Sequence, residues 1–474
     1  MKTVSYLFII CLFATGNLLS QSKIKYEISF KNAVHHEAQI SVAYQNIETD
    51  TLSLRMSRSS PGRYAIHEFA KNVYAFKAFD EKGNVLQVHR PNPYQWDISG
   101  HQGNVNITYT LFANHGDGTY SQIDETHAHL NIPATFMYAP ALRKNPIYIN
   151  VFPRKDLNWK VATQLKTLNN NEYFAPHLDY FMDSPIEISD HQAKSFKISV
   201  EDVTYDINFV LHHIDGYDGY DTYFEKVKKI VQAEIYVFGG LPEFDFGAYT
   251  FLACYMPNVD GDGMEHRNST ILTSKRSLSK GGLERNIGTV AHEFFHAWNV
   301  ERIRPRSLEP FDFSRANMSG ELWFAEGFTS YYTTLILCRA RIINSDTYAT
   351  GLSKVLNYVW TSPGRTYFNP IEMSYQAPFV DAATSVDQVN WENTFISYYS
   401  YGNALALALD LSLRNLEADK TLDGFMKLLW HTYGTDEIPY TIKNLENTLA
   451  AYVDRSFSQT FFNDFIYQSK MPDY

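Results

Sequence analysis

The sequence predicts a multidomain protein, with a β-rich N-terminal domain (a sandwich or saddle-shaped sheet) before an α+β domain and an α-helical C-terminal lobe. At 474 residues the chain is too long for one hydrophobic core. Apolar and polar residues alternate through the N-terminal part, and near residue 220 this period gives way to a helical one. With 45% hydrophobic and 20% charged residues, the composition is that of a folded protein.

The N-terminal segment is typical of a secretory signal. Lys2 supplies a short positive region, residues 7–19 are apolar, and Ser20 is a small residue placed before Gln21. The apolar run is shorter than the roughly 20 residues that cross a membrane. We therefore expect residues 1–20 to be a signal peptide. The mature protein would then be exported, to the periplasm or the exterior, without stable insertion into a membrane.

Residues 21–197 are predicted to form the N-terminal β domain. The stretches "IKYEISF", "AQISVAY" and "VNITYTL", which begin at Ile24, Ala38 and Val105, place apolar residues at every second position. Such alternation indicates half-buried strands, and turn signals such as "SPGR" and "EKGN" separate them.

The second part of the chain is predicted to divide into a domain at residues 198–345 and a helical lobe at residues 346–474. The stretch "DTYFEKVKKIVQAEIYVFGG" indicates a helix that ends at Gly239, and "AYTFLACYM" indicates a strand. From Ala404 onward the sequence is almost wholly helical, as in "ALALALDLSLRNLEA".

The net charge and the number of cysteines bear on nucleic-acid binding and on disulfide bonds. The net charge of -11 argues against nucleic acid as a partner, because binding of phosphates requires a basic surface. Removal of the signal peptide leaves Cys254 and Cys338. Their apolar surroundings favour two buried free thiols. A disulfide between the two cysteines is the alternative, which the sequence does not decide.

The stretch "GTVAHEFFHAWNVERIRP" carries the pattern H-E-x-x-H, with His292 and His296 four residues apart and Glu293 between them. A helix over residues 287–299 would place both imidazoles on one face, about 5–6 Å apart, where they can bind one metal ion. The alternative is a pair of exposed histidines. A chance occurrence of this pattern is rare, so we favour a catalytic metal.

A catalytic zinc ion requires a third protein ligand and one open position. Glu326 lies in the apolar helix "ELWFAEGFTSYYTTLILC", where an unpaired carboxylate would be costly, and metal coordination would relieve that cost. Glu321 is the competing candidate, but it lies at the start of the helix, where an acidic residue is ordinary. Glu293 would then be the general base that takes the proton of a zinc-bound water, rather than a helix-stabilising charge.

These motifs resemble the glycyl aminopeptidase family of gluzincin zinc metallopeptidases, metallopeptidase family 61. The resemblance rests on "AHEFFHAWNVERIRP" and "WFAEGFTSYY". It extends to "SPGRYAIHEFAKNVYAF", "FMDSPIEI", "GMEHRNS" and "ISYYSYGNALALALDLSLR", and so to nearly all of the mature chain. It implies a thermolysin-like α+β catalytic domain that follows the β domain, with the helical lobe completing the active-site cleft.

The resemblance implies one Zn²⁺ per chain, bound by His292, His296 and Glu326, with Glu293 as the base.

In "GMEH", Glu265 stands where related aminopeptidases bind the free α-amine of the substrate, although it is otherwise an ordinary polar residue in a Gly-rich turn. In "SYYSYG", Tyr399 matches the tyrosine of the family pattern Y-x-K-G and would stabilise the oxyanion. The neighbouring Tyr398 leaves an ambiguity of one residue, and a packed aromatic is the alternative role.

Two departures from the family pattern put substrate preference in doubt. The lysine of Y-x-K-G is replaced by Tyr401, and no PDZ-like module is recognisable before Tyr474. We expect an exported zinc aminopeptidase that removes a small N-terminal residue, of the glycine or alanine kind, from peptides with a free N-terminus. The alternatives are a zinc endopeptidase with the same site and a non-catalytic peptide-binding protein that keeps the zinc scaffold. The sequence leaves the oligomeric state open.

Other histidines lack carboxylates at a supporting spacing. They are His35 with His36, His127 with His129, and His212 with His213. We expect them to be exposed or to lie at strand ends.

Overall fold

The structure is a computed structural model that describes residues 23–200, 202–216, 219–380, 387–416 and 419–474. The predicted signal peptide, residues 1–20, lies outside these ranges. Among the described residues, no helix is both long enough and apolar enough to cross a membrane.

The first half of the chain is built mostly of strands. In chain order they are β1 (Ile24–Asn32), β2 (Glu37–Tyr44), β3 (Thr51–Arg55), β4 (Val73–Phe79), β5 (Gln87–Asn92), β6 (Gln95–Ser99), β7 (Val105–Phe112), β8 (Gln122–Ile123), β9 (His127–Leu130), β10 (Ile147–Phe152), β11 (Lys160–Thr163), β12 (Lys166–Asn169), β13 (Glu172–Ala175), β14 (Ile186–Ser189), β15 (Gln192–Val200), β16 (Val203–His213), β17 (Ala248–Tyr255), β18 (Asp262–His266) and β19 (Ser269–Thr273).

Helices dominate the second half. In chain order the α-helices are α1 (Ile132–Thr135), α2 (Leu178–Met182), α3 (Tyr220–Phe238), α4 (Gly282–Arg285), α5 (Ile287–Phe295), α6 (Leu322–Arg339), α7 (Ser345–Thr361), α8 (Pro370–Ser374), α9 (Ala377–Val380), α10 (Gln388–Thr394), α11 (Tyr398–Asn415), α12 (Leu422–Leu429), α13 (Ile442–Tyr452) and α14 (Arg455–Phe461).

Three sheets form the β-rich part, with strand orders β12-β13-β10-β1-β2-β7-β4, β11-β14-β9-β8 and β3-β6-β5. The predicted alternation is confirmed in β1, β2 and β7, where every second side chain is buried in one apolar core. In the antiparallel pair β1–β2, Ile28 stands opposite Ile40 on this buried face. Burial of each such side chain contributes about 1.5–3 kcal/mol, so the period-two pattern fixes which face turns inward.

A fourth sheet, of order β15-β16-β17-β19-β18, begins the second part of the molecule. Its central pairings, β16–β17 and β17–β19, are parallel. The apolar face of α3 joins its core, and α3 ends at Gly239, whose φ of 80° is a left-handed conformation that glycine adopts readily. Position 197, the proposed domain boundary, falls within β15.

The helices α6 and α11 touch along their backbones. A side-chain carbon at Gly402 would overlap the carbonyl oxygen of Trp323, and one at Gly327 would overlap the Cα of Gly402. Glycine at both positions permits this approach, since any other residue would push the helices apart. The contact places the start of α11 beside the part of α6 that carries Glu326.

Candidate metal centre

The H-E-x-x-H segment lies on α5, but this helix is shorter than predicted. It ends at Phe295, and His296 is the C-cap with φ -65° and ψ -17°. The carbonyl of His296 accepts hydrogen bonds from the amides of both Val300 and Glu301, so the chain leaves the helix in a tight turn. Because His296 keeps helical dihedral angles, the two imidazoles still share a face, with ring centroids 4.8 Å apart.

The structure brings the three predicted ligands together. Oε2 of Glu326 lies 3.5 Å from Nε2 of His292 and 3.3 Å from Nε2 of His296. Two ligand atoms bound to one zinc ion at about 2.0–2.2 Å with tetrahedral angles stand about 3.3–3.6 Å apart. The spacing of these atoms therefore fits a shared ion.

Hydrogen bonds orient each of these side chains. Nδ1 of His296 lies 2.5 Å from the carbonyl oxygen of Asn299, and Nδ1 of His292 lies 3.1 Å from Oγ1 of Thr333. Both Nε2 atoms are thereby directed at Glu326, as in metal sites whose histidines are fixed through their second nitrogen.

Tyr64 is a neighbour of the centre to which the sequence analysis gave no role. Its hydroxyl donates a hydrogen bond of 3.0 Å to Oε1 of Glu326. Tyr64 lies between β3 and β4, and 262 positions separate it from Glu326. No spacing rule links residues so far apart, and the stretch "SPGRY" that contains Tyr64 carries no metal-binding pattern.

Glu293 and Glu265 lie beside the same histidine. One carboxylate oxygen of each and one ring nitrogen of His296 lie within 4.8 Å of one another. Burial raises the pKa of Glu293 well above its ordinary value, and the carboxylates of Glu265 and Glu326 raise it further, whereas His296 lowers it. The Glu293 carboxyl is thus buried among charged groups that hold on to its proton.

The electrostatics of the pocket favour a cation. Burial alone would lower the pKa of His296, but Glu326, Glu265 and Glu293 outweigh it and raise that pKa to about 10. Burial opposes ionisation of Glu326 too, yet the two histidines hold its pKa well below the ordinary value. At His292 burial outweighs Glu326 and lowers the pKa, so that imidazole stays neutral. Buried carboxylates beside two imidazoles are a donor set that suits zinc.

The loop that carries Tyr64 also covers Glu265 on β18. A side-chain carbon at Gly62 would lie 3.0 Å from Oε2 of Glu265. Arg63 forms an ion pair with Asp262 and donates to Oγ1 of Thr119 at 2.7 Å. The N-terminal part of the chain therefore forms one wall of the pocket.

Tyr399 lies at the start of α11, next to the ligands. Its half-buried ring stands 6.1 Å from that of His292 between centroids and stacks on Tyr398 at 4.9 Å. Tyr398 is buried and faces Tyr64. Tyr401, which replaces the family lysine, is buried too, and in the described part of the chain its hydroxyl has no hydrogen-bond partner.

Glu321, the competing candidate for the third ligand, and two nearby arginines are bonded away from the site. Glu321 accepts hydrogen bonds of 2.8 Å from the hydroxyls of Ser307 and Ser319. Arg302 donates to the carbonyl of Glu243 at 2.8 Å, and Arg304 pairs with Glu309 at 3.0 Å. These side chains stabilise the fold around the centre.

His127 begins β9 and His213 ends β16, as the prediction of exposed or strand-end histidines allows, whereas His129 and His212 lie inside their strands and contradict it. His127, His129, His212 and His213 are all buried. Strands β9 and β16 carry them into the space where two sheets face each other, which no local pattern reveals. Both cysteines are free as predicted, with Cys254 buried and Cys338 only half-buried.

Two family profiles match the chain. The Peptidase M61 N-terminal domain matches residues 25–190, and M61 glycyl aminopeptidase matches residues 285–405. A search of curated proteins finds no match. The two profiles cover the β-rich part and the part that holds the candidate ligands.

Solved structures are similar over almost the whole length. An aminopeptidase N family protein from Idiomarina loihiensis is 25% identical, with a TM-score of 0.85, over 95% of this chain and 77% of that one. A mutant M1 zinc metallopeptidase from Deinococcus radiodurans is 11% identical, with a TM-score of 0.53, over 93% of each chain. The same enzyme bound to a Tyr-Ser-Ala substrate is 10% identical, with a TM-score of 0.52. The distant matches show a shared fold.

Proposed function

We propose that this chain, which belongs to the M61 glycyl aminopeptidase family and is a metallo-aminopeptidase, is an exported zinc enzyme that removes a small N-terminal residue from peptides. The observation that carries the proposal is the approach of Oε2 of Glu326 to Nε2 of both His292 and His296, at 3.5 and 3.3 Å, beside two further carboxylates. Export rests on residues 1–20, outside the described ranges.

In this proposal His292, His296 and Glu326 hold the zinc ion in the thermolysin-like manner that the family resemblance implies. When bound, zinc supplies Lewis-acid polarisation of the peptide carbonyl and acidifies water. The hydroxyl of Tyr64 donates a hydrogen bond to Oε1 of Glu326 and so fixes this oxygen. The other carboxylate oxygen, Oε2, therefore stays directed at the two histidines.

Glu293 is the general base of the proposed reaction. It accepts a proton from the attacking water and then delivers it to the amine that leaves, so one proton passes through this carboxylate in each turnover. Its burial beside His296 keeps bulk water from competing for that proton.

Glu265 and Tyr399 complete the proposed machinery. Glu265 is buried on β18 within the same group of side chains. It would pair with the free α-amine of the substrate, so that the first peptide bond lies at the metal and one residue is removed. Tyr399, half-buried beside His292, would donate its phenol to the oxyanion that forms as the carbonyl is attacked. The loop at Gly62 lies against Glu265. Glycine or alanine as the residue removed is what the family resemblance implies.

The test measures release of free naphthylamine from glycyl- and alanyl-naphthylamide, beside their N-acetylated forms. We would assay the mature protein with and without a chelator, together with Glu293→Gln, Glu265→Gln and the exposed control Glu284→Gln. The expected result is chelator-sensitive turnover of the free substrates alone. Glu293→Gln should abolish it, Glu265→Gln should raise KM, and Glu284→Gln should leave both constants unchanged.

Other outcomes would replace the proposal. Equal cleavage of acetylated peptides, unaffected by Glu265→Gln, would identify an endopeptidase with the same metal site. Stoichiometric zinc without turnover of any peptide would identify a peptide-binding protein.

A further inference from the structure

A second group of metal-ligating side chains lies on strands, apart from α5 and α6. It consists of His127 on β9, Glu187 on β14, His212 on β16 and Cys254 on β17, which we name the strand cluster. All four are at most 2% exposed. The strands come from two sheets, so the strand cluster lies where the β-rich part meets the second part of the molecule.

The ligand atoms of the strand cluster are spaced as a metal site requires. Sγ of Cys254 lies 3.6 Å from Nδ1 of His212. One ligand atom from each of His127, His212 and Cys254 lies within 4.8 Å of the others. A sulfur at about 2.3 Å and a nitrogen at about 2.0 Å from one zinc ion stand about 3.5 Å apart in tetrahedral geometry. The pair of Cys254 and His212 already has that spacing. Small shifts of the side chains would bring the ring nitrogen of His127 to the same distance.

Donor atoms within the strand cluster are unused. Nδ1 of His127 lies 2.8 Å from Oγ1 of Thr126, which leaves its buried Nε2 without a hydrogen-bond partner in the described ranges. Oε2 of Glu187 lies 2.9 Å from Nδ1 of His129, whereas its Oε1 has no such bond and lies 3.5 Å from Nδ1 of His212. Buried polar atoms left unpaired cost about 1–3 kcal/mol each, so their convergence here calls for a ligand.

We propose that the strand cluster binds one Zn²⁺ ion, distinct from the catalytic one, through Nε2 of His127, Nδ1 of His212 and Sγ of Cys254. Oε1 of Glu187 completes the four ligands. Imidazole, thiolate and carboxylate donors together suit zinc, and a site whose four ligands all come from the protein is of the structural kind.

The metal-free strand cluster holds one ligand ready for a metal ion and one that must first lose a proton. Burial lowers the pKa of His127 to about 4, so its imidazole is neutral and keeps a lone pair for the metal. Burial raises the pKa of the Cys254 thiol, and the carboxylates of Glu187 and Asp124 raise it further. Binding therefore forms a sulfur–zinc bond and releases the thiol proton to solvent. Asp190, whose side chain is largely exposed, lies 3.9 Å from Nε2 of His212.

The consequence of binding is a link between two sheets. Strands β9 and β14 are neighbours in one sheet, and β16 and β17 are neighbours in the other. An ion held by all four strands would fasten the β-rich part to the sheet that precedes the H-E-x-x-H helix. The link does not depend on catalysis, so it can be tested whether or not the proposed peptidase activity is found.

The test uses cobalt as the probe, because thiolate ligation gives Co²⁺ an intense near-ultraviolet charge-transfer absorption that histidine and carboxylate ligands lack. The full mature chain would be freed of metal and titrated with CoCl₂. We expect two equivalents to bind and the charge-transfer band to appear. Cys254→Ser should lose the band and one equivalent, whereas the matched control Cys338→Ser should keep both.

A second variant guards against misfolding of Cys254→Ser. His292→Ala leaves the strand cluster intact and removes a ligand of the other centre. It should bind one cobalt ion with the full charge-transfer band, and ZnCl₂ should raise its Tm. Cobalt binding without the band, in either the wild type or folded His292→Ala, would overturn the proposal. So would a band that disappears in Cys338→Ser and persists in Cys254→Ser.

Discussion

Two groups of histidines in this molecule are built in opposite ways. At the metal centre, His292 and His296 are four positions apart on one helix, and Glu326 joins them from the next long helix. In the strand cluster, His127 and Cys254 come from strands of different sheets. The first arrangement follows from helix geometry and is visible as a sequence pattern, whereas the second exists only once the sheets have assembled.

The two groups also differ in access to solvent. The side chain of His292 is 18% exposed, and Tyr399 beside it is half-buried, so one side of the candidate metal centre reaches solvent. The histidines and the cysteine of the strand cluster are 0–2% exposed. An open position suits a centre that acts on a substrate, and a closed one suits an ion that holds structure together. Under the proposed function, the peptidase chemistry belongs to the helix-borne centre and its neighbours, and the strand cluster has a structural role.

The largest expected effect tests that assignment directly. Glu293→Gln keeps the size of the side chain but removes its capacity to accept a proton. We expect kcat to fall about 10³-fold, within the range for loss of a general base, while zinc content stays unchanged. Steady-state kinetics and metal analysis would measure both. A variant that retains most of its kcat would show that the helix-borne centre is not where the chemistry occurs.

A second prediction concerns the contact between α6 and α11. It tests whether the candidate metal centre needs this contact in addition to the spacing of His292 and His296 along α5. Gly402→Ala places a methyl group against the carbonyl of Trp323 and must separate α11 from α6. We expect a loss of about 3 kcal/mol in the free energy of unfolding, measured by urea denaturation.

Gly351→Ala is the matched control for this prediction. Position 351 lies within α7, and a side-chain carbon there meets nothing within 4 Å. The control should be as stable as the wild type or more stable by about 1 kcal/mol, since alanine favours helix. Equal stability of the two variants would contradict the close approach of α6 and α11.

A third prediction concerns the cleft wall that α11 supplies. Tyr399→Phe removes the phenol beside His292, and we expect kcat to fall about 10²-fold with little change in KM, as for the loss of one oxyanion donor. Tyr398→Phe, which alters the buried neighbour, should change kcat only a few-fold. The opposite result would transfer the role to Tyr398.

The smallest expected effect concerns Tyr64. This residue belongs to the β-rich part but contacts the helix-borne centre, so the two groups are not fully separate. Tyr64→Phe removes the hydrogen bond to Glu326. We expect zinc affinity to fall about 10-fold, as measured by competition with a chelator, since partners of metal ligands contribute at that level. Tyr148→Phe, at a strand position in the same part of the chain, should leave zinc affinity unchanged.

The parts of the fold that follow local periodicity could be predicted from the sequence. The strands at Ile24, Ala38 and Val105, the helix that ends before Gly239 and the helical C-terminal region are all present. Each depends on side chains within one element, where the period alone decides which face is buried. The end of α5 was predicted four residues too late, because the turn after His296 is fixed by the amides of the residues that follow it.

Much of the candidate site could also be predicted from local sequence patterns, but some of its residues could not. His292, Glu293 and His296 form a spaced pattern, and Glu326 is conspicuous as a charge in an apolar helix. Tyr64 belongs to no pattern, because its position beside Glu326 depends on how the β-rich part docks. His212 and Cys254 stand in register on neighbouring parallel strands, a pairing that sequence separation does not indicate.

The hydrogen bond from Tyr64 to Glu326 also has a consequence for the order in which the protein is made. Tyr64 leaves the ribosome long before Glu326, and Tyr399 follows later still. The hydrogen-bonded pocket therefore cannot close until most of the chain has been synthesised and the two parts have docked. Most of the apolar core of the β-rich part is synthesised early, although Phe311 and Phe313 join it later, whereas peptidase activity would arise only at the last stage of folding. A nascent chain of this protein would in this way be kept from cleaving peptides before it is complete.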